Sequence, residues 1–231
     1  MREEYGKESQ LITYGGDHVL PQAWDEGNNF PFKANAYSFK VARIEPENNI
    51  HLVLEAFSQI PDAQLVLVGN WEHSKYGRSL REQYASFPNL FLLDPIYDQK
   101  KLDVLRSNCR IYVHGHQAGG TNPSLVEAMN LGLPIIAFDV SFNRASMHHQ
   151  GMYFSNVPQL QARLLNADEA ALTLHRNTMK KLGKKYYNWS LIARQYAALI
   201  AGEKRIPEAE IGYRIPKRRS TQKPTSISLP T

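Results

Sequence analysis

The fold is decided by residues 111–138, IYVHGHQAGGTNPSLVEAMNLGLPIIAF, which contain a buried strand, a glycine-rich loop, an amphipathic helix and a second buried strand. Asn122 stands at the N-cap position and Pro123 at the first helical position, where its missing N–H costs nothing. Free N–H groups at such a helix start, together with the helix dipole, form a site for a phosphate or diphosphate. Glu127 follows just over one turn later, close enough to accept hydrogen bonds from hydroxyls attached to that phosphate. The segment therefore predicts a sugar-nucleotide site.

The composition is that of an ordinary globular protein. The 231 residues are 42% apolar and 21% charged, which allows one sizeable core. No apolar run reaches the ~18 residues that a membrane-spanning helix needs, and residues 1–10 are too polar for a signal peptide. The lone cysteine, Cys109, excludes an internal disulfide and a cysteine-built zinc site. We therefore expect a protein of the reducing cytoplasm, with Cys109 as a small apolar core residue.

The net charge of +5 is concentrated at one end of the chain. Most of the basic excess lies in residues 203–231, which are rich in Pro, Ser and Thr and poor in apolar residues, a composition typical of a disordered, solvated tail. The alternative is an electrostatic contact with an acidic partner or with anionic lipid, which would hold the protein peripherally at the inner membrane face. No nucleic-acid-binding motif accompanies the charge, so we expect no nucleic-acid partner.

Apolar runs of strand length alternate with helical patterns. This alternation, with short connections, indicates a parallel sheet covered on both faces. We predict an α/β fold, a doubly wound parallel sheet of Rossmann type, whose ligands lie at the carboxyl ends of the strands. The predicted strands lie near 37–42, 64–68, 90–93, 110–113, 134–138 and 152–154, and the helices near 49–59, 79–86, 98–107, 124–131 and 158–165.

The chain divides into three parts. Residues 36–202 form the predicted Rossmann-like domain, of which 168–201 read as C-terminal helices. Residues 1–35 cannot form a domain alone, although QLITYGG (10–16) could add a strand. Residues 203–231 form the basic tail.

Arg43 and two histidines follow predicted strands at the expected ligand edge. Arg43 is placed for bidentate contact with a diphosphate, whereas an ion pair with Glu45 or Glu47 is the alternative that the arginine alone favours. His114 and His116 should point to opposite sides, and no carboxylate or cysteine cluster stands nearby, so we expect no metal site. One imidazole could donate to a phosphate or sugar, or the histidines could be structural.

Several other motifs are weaker or missing. Asn48 or Asn49 is a candidate N-cap for the helix that follows. The sequence contains no GxGxxG dinucleotide fingerprint, no GxxxxGK[ST] phosphate loop and no GxSxG nucleophile elbow. An Asp-x-Asp metal motif is also absent.

Taken together, these residues resemble the C-terminal, donor-binding domain of family 4 retaining glycosyltransferases of the GT-B fold. The most specific elements are VARIEPENN (41–49), LVLVG (65–69) and HGHQAGGTNPSLVEAMNLGLPIIAFD (114–139). The last block is similar to that of bacterial rhamnosyltransferases of capsule and exopolysaccharide assembly. The resemblance runs from about Tyr37 through the helix that contains Trp189.

The resemblance implies a donor site that uses no metal or other cofactor. Glu127, the second glutamate of the family's Glu-x7-Glu pattern, would bind the ribose hydroxyls, but Gly119 replaces the first glutamate and Asn48 replaces the family's lysine. Arg43 would contact the diphosphate, backbone N–H groups of the loop or helix start would cradle it, one histidine would reach phosphate or sugar, and loop 94–97 would face the base. No residue stands out as a covalent nucleophile, so the catalytic group is unknown. The implied donor-binding residues are Arg43, Asn48, Ile96, Tyr97, His114, His116, Gly119, Gly120, Thr121, Asn122, Ser124, Leu125 and Glu127.

A GT-B enzyme also needs an N-terminal domain that binds the acceptor. Residues 9–20 resemble the end of that domain and the linker leaving it, and the helix around Trp189 resembles the segment that crosses back to it. We therefore expect the donor half of a hexosyltransferase, using dTDP-rhamnose or a similar donor, which needs an N-terminal acceptor domain or a protein in trans. Its acceptor would be a growing polysaccharide or a lipid-linked sugar. The alternative is a truncated, non-catalytic module that binds nucleotide sugars.

Overall fold

The structure, a computed structural model, describes residues 6, 11–24, 27 and 30–202. Six strands form one sheet in which every pairing is parallel. The predicted α/β class and doubly wound sheet are confirmed, and the strand bounds differ from the prediction by at most one residue at either end. The strands are β1 (Tyr37–Val41), β2 (Gln64–Val68), β3 (Leu90–Leu93), β4 (Ile111–His114), β5 (Ile135–Phe138) and β6 (Met152–Phe154).

The order of the strands across the sheet is β3-β2-β1-β4-β5-β6. The order reverses between β1 and β4, which pair through Ser38 with Ile111 and Phe39 with Tyr112. At such a reversal the two connecting loops turn in opposite directions and leave a crevice at the carboxyl ends of the strands. The stretch 111–138 therefore follows one wall of this crevice, as β4, loop, helix and β5.

Helices connect the strands, and three of the described helices follow the last strand, β6. The predicted 79–86 helix begins earlier than expected, because Ser74 accepts a hydrogen bond from Gly77 N and caps it. The sequence prediction missed a short helix over Ser141–Ser146 and two 3₁₀ turns, Pro46–Asn48 and Trp71–His73. The helices are α1 (Ile50–Ser58), α2 (Lys75–Tyr84), α3 (Gln99–Ser107), α4 (Pro123–Leu131), α5 (Ser141–Ser146), α6 (Val157–Leu165), α7 (Glu169–Tyr186) and α8 (Trp189–Ile200).

The strand suggested for QLITYGG is wrong for residues 11–16, which form no ladder. Gly16 N donates instead to Tyr187 O at 2.8 Å, and a side chain on Gly15 would collide with Trp189. The segment lies against the start of α8 rather than along a sheet edge, because its glycines permit that close approach.

Apolar side chains cover both faces of the sheet. Phe39, Tyr112 and Met129 are buried on one side, and Leu54 and Leu67 on the other. Cys109 is fully buried, and burial raises the pKa of its thiol to about 12, as expected of a core residue. Of the described residues, no helix is long and apolar enough to cross a membrane. The predicted tail, 203–231, lies outside the described residues.

Candidate functional site

A cavity of about 200 Å³ lies at the carboxyl ends of β1 and β4, at the point where the strand order reverses. We call it the β1–β4 cavity. Strand β1 and the loop after it form one wall, and the end of β4 with the start of α4 forms the other. Its polar lining consists of Lys40, Arg43, Asn48, His114, His116, Asn122 and Ser124.

The loop between β4 and α4 presents free backbone donors. Gly119 has a φ of +107°, a conformation open to glycine but strained for other residues. The N–H groups of residues 119–122 donate to no acceptor in the described part of the chain. Four successive amides without acceptors, next to a helix start, match the needs of a phosphate.

The first amides of α4 already have acceptors. Ser124 N donates to Asn122 Oδ1 at 3.0 Å, which confirms the predicted N-cap, and Leu125 N donates to Asn122 O at 3.1 Å. Of the two sets of backbone donors considered from sequence, the loop amides are therefore the free ones, whereas Ser124 and Leu125 would have to exchange a partner.

Lys40 is the residue of the cavity that sequence reasoning missed. It lies on β1 with 2% of its surface exposed, and no acceptor or carboxylate pairs with its ammonium among the described residues. Burial lowers its pKa to about 7. The signal in the sequence was a lysine inside YSFKVA, a strand whose neighbours on both sides are central strands.

Gly115 makes room for the lysine. A Cβ atom at this position would lie 2.9 Å from Lys40 Nζ and would collide with the backbone oxygen of Asn48. The ammonium therefore lies against the bare backbone at the end of β4, between the two walls of the cavity.

His114 is a second buried polar group of the cavity without a partner. It is 4% exposed, and its Nε2 makes no hydrogen bond within the described residues. Burial, followed by the neighbouring Lys40 and His116, holds its pKa well below the ordinary value. His114 is therefore neutral at pH 7.

His116 is oriented by Asn48. Its Nδ1 lies 2.9 Å from Asn48 Oδ1, and Asn48 Nδ2 donates to Arg43 O at 2.9 Å. With Nδ1 as the donor, Nε2 of a neutral ring is an acceptor suited to a hydroxyl, and it becomes a donor on protonation. Burial and Lys40 lower its pKa. The expectation that His114 and His116 face opposite sides is wrong: both line the cavity, because the chain leaves the strand at Gly115.

Arg43 lines the cavity and also forms the ion pair considered from sequence. Its Nη2 lies 3.2 Å from Glu47 Oε1, and 77% of its side chain is exposed. Such an exposed pair is worth about 0–1 kcal/mol, so a ligand can redirect the guanidinium at little cost. Asn49, not Asn48, occupies the N-cap position of α1, and its side chain donates to Gly115 O at 2.9 Å instead of capping.

Glu127 does not line the β1–β4 cavity. Its Oε2 lies 2.9 Å from Nη2 of Arg106 on α3, and its Oε1 lies 3.1 Å from His18 Nε2. Arg106 is only 3% exposed and also pairs with Asp103 at 3.1 Å. The carboxylate predicted to bind ribose is thus held by protein groups on the flank of α4.

His18 links that carboxylate to α8. Trp189 Nε1 lies 3.2 Å from His18 Nδ1, so the indole donates to the ring that contacts Glu127. Trp189 N also donates to Asp17 Oδ1 at 2.8 Å. We call Glu127, Arg106, Asp103, His18 and Trp189 the Glu127 network.

The predicted base-binding loop follows β3, two strands away from β1. Ile96 packs partly against the core, and Tyr97 is 89% exposed. Neither residue lines the β1–β4 cavity.

The charged lining of the cavity is basic in the described part of the chain, with Lys40 and Arg43 beside two histidines. In those same residues no three His, Cys, Asp or Glu side chains are grouped as a metal ion requires. The cavity can hold an anion between amide dipoles, an ammonium and imidazoles, and offer an acceptor to a hydroxyl.

Comparisons with known proteins agree with this arrangement. The profile of the family described as "Glycosyl transferases group 1" matches residues 25–189. Sucrose-phosphate synthase from Thermosynechococcus elongatus superposes with a TM-score of 0.69 at 21% identity, over 84% of this chain and 52% of that one. The chain thus spans about half the length of that enzyme.

Two further structures show the same fold. HepE from Anabaena, solved in complex with UDP and glucose, gives a TM-score of 0.64 at 18% identity, over 73% of this chain and 49% of that one. The C-terminal domain of LpcC, a glycosyl transferase group 1 protein from Francisella tularensis, gives 0.58 at 16% identity, over 77% of this chain and 97% of that domain.

Proposed function

The chain belongs to the glycosyl transferases group 1 family, and from that premise we propose that it is the donor half of a sugar transferase. It binds a nucleoside-diphosphate sugar, of which dTDP-rhamnose is the specific candidate. A hexosyl group then passes, with retention of anomeric configuration, to a growing polysaccharide or a lipid-linked acceptor. The reaction belongs in the cytoplasm, with residues 203–231 as the candidate contact with an anionic membrane.

The observation that carries the proposal is the β1–β4 cavity. It combines amides at residues 119–122 with two buried side chains, Lys40 and His114 Nε2, at the switch point of the sheet, and none of these groups has a partner among the described residues. The diphosphate lies against the loop amides and the ammonium, and Arg43 turns from Glu47 to close over it. These groups stabilise the charge that develops on the departing nucleoside diphosphate by fixed dipoles and cations.

The nucleotide class is supported by the HepE complex, which holds UDP and glucose on a related fold. The ribose assignment for Glu127 remains part of the proposal. The carboxylate would accept from the ribose hydroxyls only by giving up His18, whose side chain is 44% exposed and therefore easily displaced.

A second domain, supplied in cis or in trans, would bring the acceptor. Large apolar side chains suited to such a partner are exposed on the N-terminal segment and α8; they are Leu11, Tyr14, Leu20, Trp189, Tyr196, Leu199 and Ile200. The LpcC match supports the idea that a fold of this extent is one domain of a larger transferase.

Isothermal titration calorimetry with dTDP-glucose, UDP-glucose and GDP-mannose tests the proposal. We expect saturable binding of at least one donor, lost by more than tenfold when Gly119 and Gly120 are replaced by proline, which restricts the loop and removes two amide donors. Failure of the wild-type chain to bind any of the three contradicts the proposal. Binding without hydrolysis or transfer, even when the acceptor domain of a related enzyme is supplied, favours the non-catalytic module instead.

A further inference from the structure

Lys40 has an arrangement that folding alone does not explain. An ammonium taken out of water without a partner is strongly unfavourable, and lysines are rarely fully buried unless paired. Lys40 is 2% exposed and has neither an acceptor nor a carboxylate partner among the described residues. The neighbouring position of β2 in register is Leu67, so that strand offers Lys40 no counter-charge there.

The surroundings of Lys40 point its charge at the cavity. Its Nζ lies against Gly115, at the end of β4, where any side chain would displace it. His114, whose buried Nε2 also has no partner among the described residues, lines the same space. The start of α4 adds the uncharged Asn122 and Ser124 and the positive end of its dipole. Every one of these features favours an anion in the cavity.

We propose that Lys40 is the counter-charge for the donor's diphosphate, and that it takes up the proton it needs as the diphosphate binds. This inference rests on the proposed donor function, to which it adds a specific residue and the coupling of donor binding to proton uptake. The cation comes from inside strand β1, not from position 48, where the resemblance would put a lysine and this chain has asparagine.

Among the ionisable groups around the cavity, Lys40 is the one that we expect to change its protonation near pH 7. From β4, His114 is held neutral, and from the loop after it, His116 has a lowered pKa. From the loop and 3₁₀ turn after β1, Arg43 and Glu47 neutralise each other in an exposed pair. With its pKa lowered to about 7, Lys40 is about half protonated in the empty protein at neutral pH.

The sign of the linkage follows from these charges. A bound diphosphate raises the pKa of Lys40, so binding takes up a proton at any pH above about 7. Affinity therefore falls as the pH rises, by about tenfold between pH 7 and pH 8.5 for one linked proton. The diphosphate of a sugar nucleotide keeps a constant charge over this range, so the change belongs to the protein.

Calorimetry of UDP-glucose, dTDP-glucose and GDP-mannose binding, at pH 7.0 and 8.5 and in Hepes and Tris, tests the proposal. The two buffers have different ionisation enthalpies, so their difference counts the protons taken up. The wild-type chain is expected to take up nearly one proton at pH 8.5, and Lys40→Met to bind at least tenfold more weakly at pH 7 with no uptake from this group. Lys181→Met, which removes an exposed lysine on α7, is the matched control and should behave as the wild type.

Wild-type affinity in Lys40→Met, or binding without proton uptake by the wild type, overturns the inference while leaving the donor function intact. No binding of any donor to the wild type rejects the donor function, and the inference with it. Lys40→Gln provides a second variant if Lys40→Met does not fold, and circular dichroism of both establishes that lost binding is not lost structure.

Discussion

The β1–β4 cavity and the Glu127 network both include residues of α4, but they differ in whether their buried charged groups have partners. In the network, Glu127 has Arg106 at 2.9 Å and His18 at 3.1 Å, and Arg106 also has Asp103. In the cavity, Lys40 is unpaired and His114 Nε2 has no partner in the described chain. The charges of the network are paired within the protein, although Arg106 Nε has no acceptor among the described residues, whereas the cavity lacks an anion to pair with Lys40.

This difference separates a structural role from a binding role. A buried charge with its partners fixes neighbouring elements, here α3, α4 and the segment before β1, and its removal damages the fold. A buried charge without partners weakens the fold and is retained where a ligand uses it. Substitutions in the network should therefore lower stability, whereas substitutions of the unpaired groups should lower binding and raise stability.

The largest effect is expected from Arg106→Met. It leaves Glu127 and Asp103 without their shared cation, and breaking a buried pair in this way costs about 3–5 kcal/mol. Urea denaturation should show this loss in the free energy of unfolding. Arg81→Met is the matched control, because Arg81 pairs with the exposed Glu72 and Asp94 and should cost less than about 1 kcal/mol. If the two variants lost the same free energy of unfolding, the buried pairs of the Glu127 network would contribute no more than an exposed ion pair, contrary to the prediction.

Lys40→Met should change the free energy of unfolding in the opposite direction. It removes an unpaired buried ammonium and should raise the free energy of unfolding at pH 7 by about 2–4 kcal/mol. The pKa of Lys40 is about 7 in the folded protein and 10.5 in the reference state, so the unfolded chain binds the extra proton between those values. Wild-type stability should therefore rise with pH over that window, and the advantage of the variant should shrink.

Urea denaturation of both proteins at pH 7 and pH 9.5 measures this convergence. A variant less stable than the wild type at pH 7, or a gap that does not change with pH, would show that Lys40 has a partner after all.

Gly115→Ala should have a smaller effect on stability and a clear effect on the cavity. The added methyl group collides with the Asn48 carbonyl oxygen and lies 2.9 Å from Lys40 Nζ. Overpacking of this kind costs about 1–3 kcal/mol and displaces the lysine. The melting temperature and the affinity for the donor should both decrease. Gly120→Ala is the control, since its new Cβ would meet no atom of the described residues within 4 Å, and it should leave stability unchanged.

His18→Ala should have the smallest effect. The imidazole is 44% exposed, and its contacts with Glu127 and Trp189 are those of a surface group, worth about 0.5 kcal/mol. Hydrogen exchange at the start of α8 should increase slightly, while the melting temperature changes little. A large loss of stability would mean that the N-terminal segment is part of the core.

Most of the fold could be predicted because it follows from local patterns. Buried parallel strands such as LVLV and IIAF are continuous apolar runs, and Asn122-Pro123 is a local start signal for α4. The short helix over residues 141–146 was missed because six residues carry too little periodicity for detection.

The site was harder to predict than the fold, because its most important contacts join residues that are far apart in the sequence. Glu127 contacts Arg106 and His18, but the spacing of these residues in the sequence does not indicate that they interact. Lys40 was overlooked because a lysine in a strand pattern is ordinarily an exposed edge residue, and only the sheet order shows β1 to be central.

The most direct test is a ¹⁵N–¹H nuclear magnetic resonance titration of the wild-type chain with inorganic pyrophosphate and then with UDP-glucose, dTDP-glucose and GDP-mannose. We expect pyrophosphate to shift the amide signals of Gly119, Gly120 and Thr121 most, and to leave those of Arg106 and Glu127 in place. At least one nucleotide sugar should shift the same loop amides at lower concentration. Loop signals that stay fixed at saturating nucleotide sugar, with shifts confined to the surroundings of Glu127 or absent altogether, would contradict the claim that the β1–β4 cavity binds the diphosphate.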